Sequence, residues 1–398
     1  MKIPKFAKKS WFQPIVFLLA LVALRTWGSG VWSVAPSSIQ QAANLYVLPI
    51  TTIALLRQSA NRLAARLSTS TLSLSYQTKQ PLLLGWILDS GASSITSVVQ
   101  QTPGLSVLSP KWFHVDGLHG AVFGNAEPSV IAQAHAQHLQ VWAVVDNGFN
   151  GSLSHRILQY QDQQDELIGN IVNLAVSNRL NGINLDFEGL NAEDRWNYSR
   201  FVSVLANQLH KKHILLSVDL PPDYVAGKNT GPYNHQALAA AADDIVLMGY
   251  DEYWLGDTTA GPTASLPWLR MAVDDFLKTG VPARKLILGI PFYAEDWTLN
   301  KQGKVVSSVA LSATGTEQLV TQLHAQVTWN AREGLYYTTY QYHGMRHEIW
   351  LEDKRTLMLF TELARNDHMA GVATWYLGLE NKSTWLSVLH TLRSPTLN

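Results

Sequence analysis

Residues 180–190, LNGINLDFEGL, set Asn184, Asp186 and Glu188 at alternate positions inside an otherwise apolar run. Side chains of a strand alternate between its two faces, so these three share one face while Ile183, Leu185 and Phe187 take the other. Two carboxylates on one buried face are costly unless they are paired, hydrogen-bonded or functional. Groups of this kind suit proton transfer to and from a bound substrate. A hydrogen-bonded polar plug in a protein core is the structural alternative, and the choice depends on what holds the stretch in place.

The surrounding pattern supplies that scaffold. From residue 81 short apolar runs recur: LLLGWIL at 82, LSVLSPKWF at 105, LQVWAVVDN at 139, INLDFE at 183, ILLSVDL at 214, DIVLMGYD at 244, KLILGIPFY at 285 and AGVATWYLG at 370. Helical periodicity lies between them, as in PSVIAQAHAQH, DELIGNIVNLAVSNR, AEDRWNYSRFVSVLANQLHKK and LPWLRMAVDDFLKTG. Strand and helix alternating in this way predict an α/β fold, a (β/α)8 TIM barrel over residues 81–395. A doubly wound open sheet is disfavoured because no glycine-rich phosphate fingerprint follows the first strand. LYYTTYQYHGMRHEIWLED alternates with period two about His343-Gly344, which predicts a small antiparallel hairpin inserted between the seventh and eighth strands. The carboxylate stretch becomes the fourth strand, with Glu188 at its C-terminal end, where barrel enzymes keep their chemistry.

Composition narrows partner and compartment. With 30 Lys+Arg against 30 Asp+Glu the chain is neutral, and no run of like charge suits a nucleic acid. The 14 Trp and 14 Tyr offer flat apolar faces with polar edges, suited to sugar rings and equally to an ordinary core. Lys2, Lys5, Lys8 and Lys9 precede WFQPIVFLLALVAL and Arg25, the layout of a signal peptide or signal anchor over residues 1–35. Pro36 directly after SVA disfavours cleavage, which tips the reading toward an uncleaved anchor and membrane attachment. Residues 36–80, broken at Pro49 and closing in STSTLSLSYQTKQ, read as a stalk or linker with a helical segment. With zero cysteines, an exported domain must rely on its packed core.

NGINLDFE resembles the fourth-strand motif of glycoside hydrolase family 18, D-G-x-D-x-D-x-E, with Asn181 and Asn184 in place of the first two aspartates. LMGYDEYW is similar to the family's sixth-strand M-x-Y-D motif through Met248, Tyr250 and Asp251, and Trp375 takes the place of its eighth-strand tryptophan. GINLDFEGL, SPKWFHVDG, LGIPFYAEDW and HEIWLEDKRT look most like the bacterial spore-cortex and cell-wall N-acetylglucosaminidases of that family. The resemblance implies a retaining, substrate-assisted glycosidase acting on β-linked N-acetylglucosamine glycan, peptidoglycan ahead of chitin. Glu188 would then be the general acid and later the base. Asp186 would hold the acetamido N–H and stabilise the oxazolinium charge, with the Tyr250 hydroxyl on the acetyl oxygen. Asn184 would donate to Asp186 and favour its ionised form. A sugar-binding lectin on the same fold is the alternative; such proteins typically lose the acid glutamate, which this chain keeps.

For substrate binding the expected residues are Asn184, Trp375, Asp251, Trp112, Asn147, Tyr293, Trp297 and Trp86, with Trp350, Asp219 and Glu252 as further candidates near strand ends. No metal or other cofactor is expected. His343 and His347 precede Glu348 in a hairpin, where an i, i+4 pair is not brought together as on a helix. His114 and His119 flank Asp116 after the second strand, a weaker metal candidate. The expected partners are a polysaccharide and a membrane at the N-terminus, with the chain a monomer.

Overall fold

The computed structural model describes residues 80–88, 92–117, 119–223 and 230–395, with the backbone alone for 92–94. The expected signal segment and stalk lie outside these residues, Gln80 excepted. Among the described residues no helix is long and apolar enough to cross a membrane.

The chain runs β1 (Leu82–Ile87), α1 (Ala92–Gln101), β2 (Val107–Val115), β3 (Val122–Gly124), α2 (Pro128–Ala136), β4 (Gln140–Asp146), α3 (Gly151–Gln159), α4 (Gln161–Ser177) and β5 (Gly182–Asp186). It continues through α5 (Arg195–His210), β6 (Leu215–Leu220), α6 (His235–Ala241), β7 (Asp244–Met248), α7 (Leu266–Lys278) and β8 (Leu286–Pro291). An insertion follows: β9 (Tyr293–Leu299), β10 (Val305–Ser312), α8 (Ala313–Gln322), β11 (Val327–Asn330), β12 (Leu335–Tyr342) and β13 (Met345–Leu351). The chain closes with α9 (Lys354–Asn366), β14 (Gly371–Trp375) and α10 (Lys382–Arg393).

Eight strands pair in parallel in the order β1, β14, β8, β7, β6, β5, β4, β2, and β1 pairs back onto β2, closing the barrel. These are the eight apolar runs of the sequence. Alternation divides each strand between two cores. Ile183, Leu185 and Phe187 face outward onto α5, where the Phe187 ring lies 5.9 Å from Phe201 and 6.2 Å from Tyr198. Leu84, Trp86, Val107, Trp142, Val144, Val246, Met248 and Ile287 fill the interior in layers. Each fully buried Leu, Ile or Phe contributes about 1.5–3 kcal/mol.

The βα loops are pinned where they enter helices. Asn150 accepts from Leu153 N at 3.0 Å, Ser265 from Trp268 N at 3.4 Å, and Asn381 from Thr384 N at 2.9 Å. Such caps satisfy backbone N–H groups that the helix leaves free, each worth about 1 kcal/mol. The loops above the barrel therefore begin on a strand and end on a cap, which limits their freedom.

The insertion is larger than a hairpin. The predicted hairpin is present as β12 and β13, with His343 and Gly344 both at positive φ and Tyr342 opposite Met345, a two-residue turn. It forms part of a five-stranded antiparallel sheet ordered β10, β9, β13, β12, β11. The helix α8 supplies Leu319 and Val320 against Ala294, Ile349 and Leu351. Strand β9 carries the buried Glu295 amid YAEDWTL, and the exposed β10 has no strict apolar alternation, so neither announces itself in the sequence. His347 lies on this sheet with its Nδ1 3.0 Å from Asp296 Oδ1, while His343 is at the turn, so the two histidines do not converge.

Candidate active site

The inward face of β5 carries Asn184 and Asp186 toward the C-terminal mouth of the barrel, and Glu188 follows just past the strand end. Neighbouring strands align further polar groups beside them: Asp146 of β4 is the register partner of Asp186, and Ser217 of β6 that of Asn184. Asn184 is completely buried. Its Oδ1 accepts from Trp86 Nε1 at 2.7 Å and Ser109 Oγ at 3.2 Å, and its Nδ2 donates to Ser217 Oγ at 2.9 Å and Asp219 Oδ1 at 2.6 Å. One amide thus ties β1, β2, β5 and β6 together across the axis, a fully satisfied network.

Asp186 differs from Asn184 in kind. It is buried, and its Oδ1 has no hydrogen-bond partner among the described residues. Leaving a buried acceptor unmatched costs about 1–3 kcal/mol, a cost that a donor on a ligand would relieve. Burial pushes the Asp186 carboxyl up to about 6, the Lys111 ammonium opposes that rise, and Asp146 adds to it. Burial raises Glu188 further, to about 8, with the Asp186 charge adding to the rise. Near neutral pH the pair therefore divides into one ionised and one protonated carboxyl, the arrangement that general acid chemistry needs. Asp219, buried beside them, is also raised by desolvation and by Asp186.

An aromatic group floors the same space. Trp375 stacks on Tyr250 at 6.0 Å, and Trp86 meets both edge-on at 5.7 and 6.3 Å. Trp375 is half-buried, whereas Trp86 lies beneath it and is buried. Asp251 is exposed at φ 64° and accepts from the Tyr293 hydroxyl.

Of the expected site residues, the structure brings Asp186, Glu188, Tyr250, Asp251, Tyr293 and Trp375 to one mouth. Others are placed elsewhere. Trp112 is buried in the outer core, because Ser109 and Lys111 take the inward positions of β2 and alternation turns Trp112 out. Trp297 is buried with its Nε1 donating to Gly261 O at 2.8 Å, so it fastens the insertion to the loop after β7. Trp86 supports the floor from below, and Asn184 holds strands together. The expectation that Asn184 donates to Asp186 and favours its anion is corrected: the amide is spent on Ser217 and Asp219, and Asp186 is raised. Asn181 accepts from Val141 N at 2.8 Å at the other end of β5, far along the strand from the acid. Trp350 donates to Glu333 at 3.1 Å and Glu252 accepts from Ser265 N at 2.6 Å, both structural contacts. His114 stacks on Phe123 at 6.0 Å.

Asn147 also departs from the expected role. It is buried, its Nδ2 donates to Glu188 O at 2.7 Å, and its Oδ1 accepts from Glu188 N at 3.0 Å. This two-way clasp fixes the backbone of the acid rather than meeting a sugar. Asn147→Ala should destabilise the protein by about 1–3 kcal/mol, since the part-buried Glu188 N–H and C=O lose their partner. It should lower kcat roughly 10–100-fold through a displaced acid, with KM changed less. Thermal melts with steady-state kinetics check both, and an unaltered kcat would remove Asn147 from the positioning of Glu188.

Three residues were not singled out from sequence. Lys111 lies inward on β2, its Nζ 3.3 Å from Asp146 Oδ2; the alternation Val107, Ser109, Lys111 was the available signal. Phe149 and Trp254, 68% and 54% exposed, sit in the loops after β4 and β7. Nothing in their sequence surroundings marks them. Among the described residues a separate cluster, Asp223, His235 and Asp275, has ligand atoms within 4.8 Å of one another. It belongs to α6, α7 and the loop after β6, away from the barrel axis, and Arg195 acts on His235 there.

Comparison with known proteins agrees with the barrel fold. The model of the glycosyl hydrolases family 18 matches residues 121–380. The uncharacterized glycosylase YvbX of Bacillus subtilis is 29% identical over 282 residues, 68% of this chain and 80% of that protein. The cortical fragment-lytic enzyme of Bacillus anthracis is 25% identical over 65% of this chain, and the match spans 60% of that enzyme, less than two thirds of its length. A chitinase structure from Chromobacterium violaceum superposes with TM-score 0.72 at 26% identity, covering 79% of this chain and all of that one. The spore cortex-lytic enzyme SleL of Bacillus megaterium has TM-score 0.71 at 22% identity, covering 78% of this chain and 74% of that one, a likeness of fold.

Proposed function

The chain belongs to the glycosyl hydrolases of family 18, and on that premise we propose that it is an exported enzyme cleaving β-linked N-acetylglucosamine-containing glycan, peptidoglycan ahead of chitin, with retention at the anomeric carbon. One observation carries the reading: Asp186 Oδ1 is buried and unpartnered next to a Glu188 that burial holds protonated near neutral pH. An acetamido N–H would satisfy that oxygen, turning the amide so that its carbonyl oxygen attacks the anomeric carbon. Glu188 protonates the departing glycosidic oxygen as that bond breaks. The Asp186 carboxylate stabilises the positive charge of the oxazolinium ion, and Tyr250 bonds the acetyl oxygen. Glu188, now ionised, then takes a proton from the water that opens the ring, so the configuration is retained.

Trp375 over Tyr250 offers an apolar floor for the sugar at the cleavage point, and Phe149 and Trp254 offer faces for its neighbours. Preference for peptidoglycan is supported by the cortical fragment-lytic relatives rather than by a feature of the pocket. The test is to incubate the protein with purified peptidoglycan and with chitin oligomers, identifying released sugars by mass spectrometry and the first-formed anomer by NMR. The expected result is N-acetylglucosamine-terminated fragments in the β configuration, more from peptidoglycan. Release from neither substrate would overturn the reading.

A further inference from the structure

We propose that Lys111 is a positioning residue for the catalytic pair: its ammonium, entering from β2, holds Asp186 as the anion and so reserves the proton of the site for Glu188. The inference rests on the roles proposed for Asp186 and Glu188. Asp186 has three other carboxyls around it. Asp146 is its register partner on β4, Glu188 follows it on β5, and Asp219 lies on β6. The Tyr250 hydroxyl past β7 and the Tyr198 hydroxyl of α5 are uncharged but sense the same carboxylates. Such a cluster, stripped of water, would bind protons indiscriminately.

Lys111 is the cation acting on Asp186, Glu188 and Asp219 alike. Its side chain is 31% exposed and its Nζ sits 3.3 Å from Asp146 Oδ2, which anchors the ammonium on the register partner of Asp186. Asp146 is held in turn, since its Oδ1 accepts from Gly148 N at 2.7 Å. Asn184 cannot perform this task, because its amide hydrogens are committed to Ser217 and Asp219. The pair Lys111 and Asp146 is therefore built so that its two members pull Asp186 in opposite directions.

That opposition supplies the test. In Lys111→Met the acid limb of the kcat profile on a fluorogenic chitobioside moves up by about one pH unit, close to a ten-fold loss of kcat on that limb. The alkaline limb, governed by Glu188, moves the same way. In Asp146→Asn, which keeps an acceptor for Gly148, the acid limb moves down. Lys111→Arg restores the wild-type profile, and KM on this uncharged substrate changes less than kcat. A merely structural ion pair would lower activity in both variants without moving the limbs apart, and that outcome overturns the proposal.

A second measurement does not need turnover. Carboxyl carbon NMR of Asp186 in the Glu188→Gln background, with and without Lys111→Met, should show its titration midpoint rise when the lysine is lost. An unmoved midpoint overturns the proposal even if the wild type proves inactive on every glycan. Inactivity with a moved midpoint overturns the proposed function alone.

Discussion

Glu188→Gln should abolish hydrolysis while leaving glycan binding in place. The amide is isosteric, keeps the two-way clasp of Asn147 on the backbone of residue 188, and cannot give up a proton to the leaving oxygen. General acid catalysis is worth roughly 10²–10⁴-fold, and here the same residue must act again as base, so kcat should fall toward the upper part of that range. Binding, measured by calorimetry with an N-acetylglucosamine oligomer, should change by only a few fold, since the floor of Trp375 and Tyr250 and the Asp186 acceptor remain. Near-wild-type turnover on a substrate that the native enzyme cleaves would falsify the assignment of Glu188 as the acid.

The second large effect concerns Asp186. Asp186→Asn removes the charge that would stabilise the oxazolinium ion and should lower kcat by about 10²–10³-fold, the scale for loss of one preorganised electrostatic group. The pH profile carries more information. The wild type needs Asp186 ionised and Glu188 protonated, so activity should be lost on acidification as Asp186 takes up a proton near about 6. It should be lost again on alkalinisation as Glu188 releases its proton near about 8. Two carboxyls this close titrate together, so the limbs report the pair. In Asp186→Asn the acid limb disappears. The alkaline limb moves to lower pH, because the Asp186 charge no longer holds the proton on Glu188. An acid limb that survives this change with its midpoint intact would assign that limb to another group and remove Asp186 from the mechanism.

Much of the fold was legible because its signals are local. A parallel barrel strand is a short apolar run flanked by helical periodicity, and eight such runs are present in order. The β12–β13 hairpin was readable because alternation on both sides frames a His-Gly turn. The rest of the insertion was not, since Glu295 interrupts β9 and the outer strand β10 is largely exposed. The carboxylate pair was legible for a related reason: a period of two places Asp186 and Glu188 on one face whatever the neighbours do.

The aromatic candidates show where such reasoning stops. Trp86, Trp112, Trp297 and Trp375 are the same residue type, all on strands, yet one is half-buried at the mouth and three are buried in different places. What separates them is which strand face each occupies and what packs against it. Trp112 turns outward on β2, Trp86 inward on β1, and Trp297 toward the backbone of Gly261. Asn147 and Asn184 were likewise identifiable as polar groups near strand ends, but their partners lie on other strands and loops.

The sequence alone determined the barrel, the strand bearing the pair and the face on which both carboxylates lie, because strand period and apolar run length are properties of contiguous residues. Only the tertiary structure decided how those carboxylates differ. Asp186 and Glu188 are set apart by burial and by the charges of Lys111, Asp146 and Asp251, residues 40 to 77 positions distant in the chain. Desolvation and Coulomb interactions act through space, and closing the barrel is what brings those groups within reach.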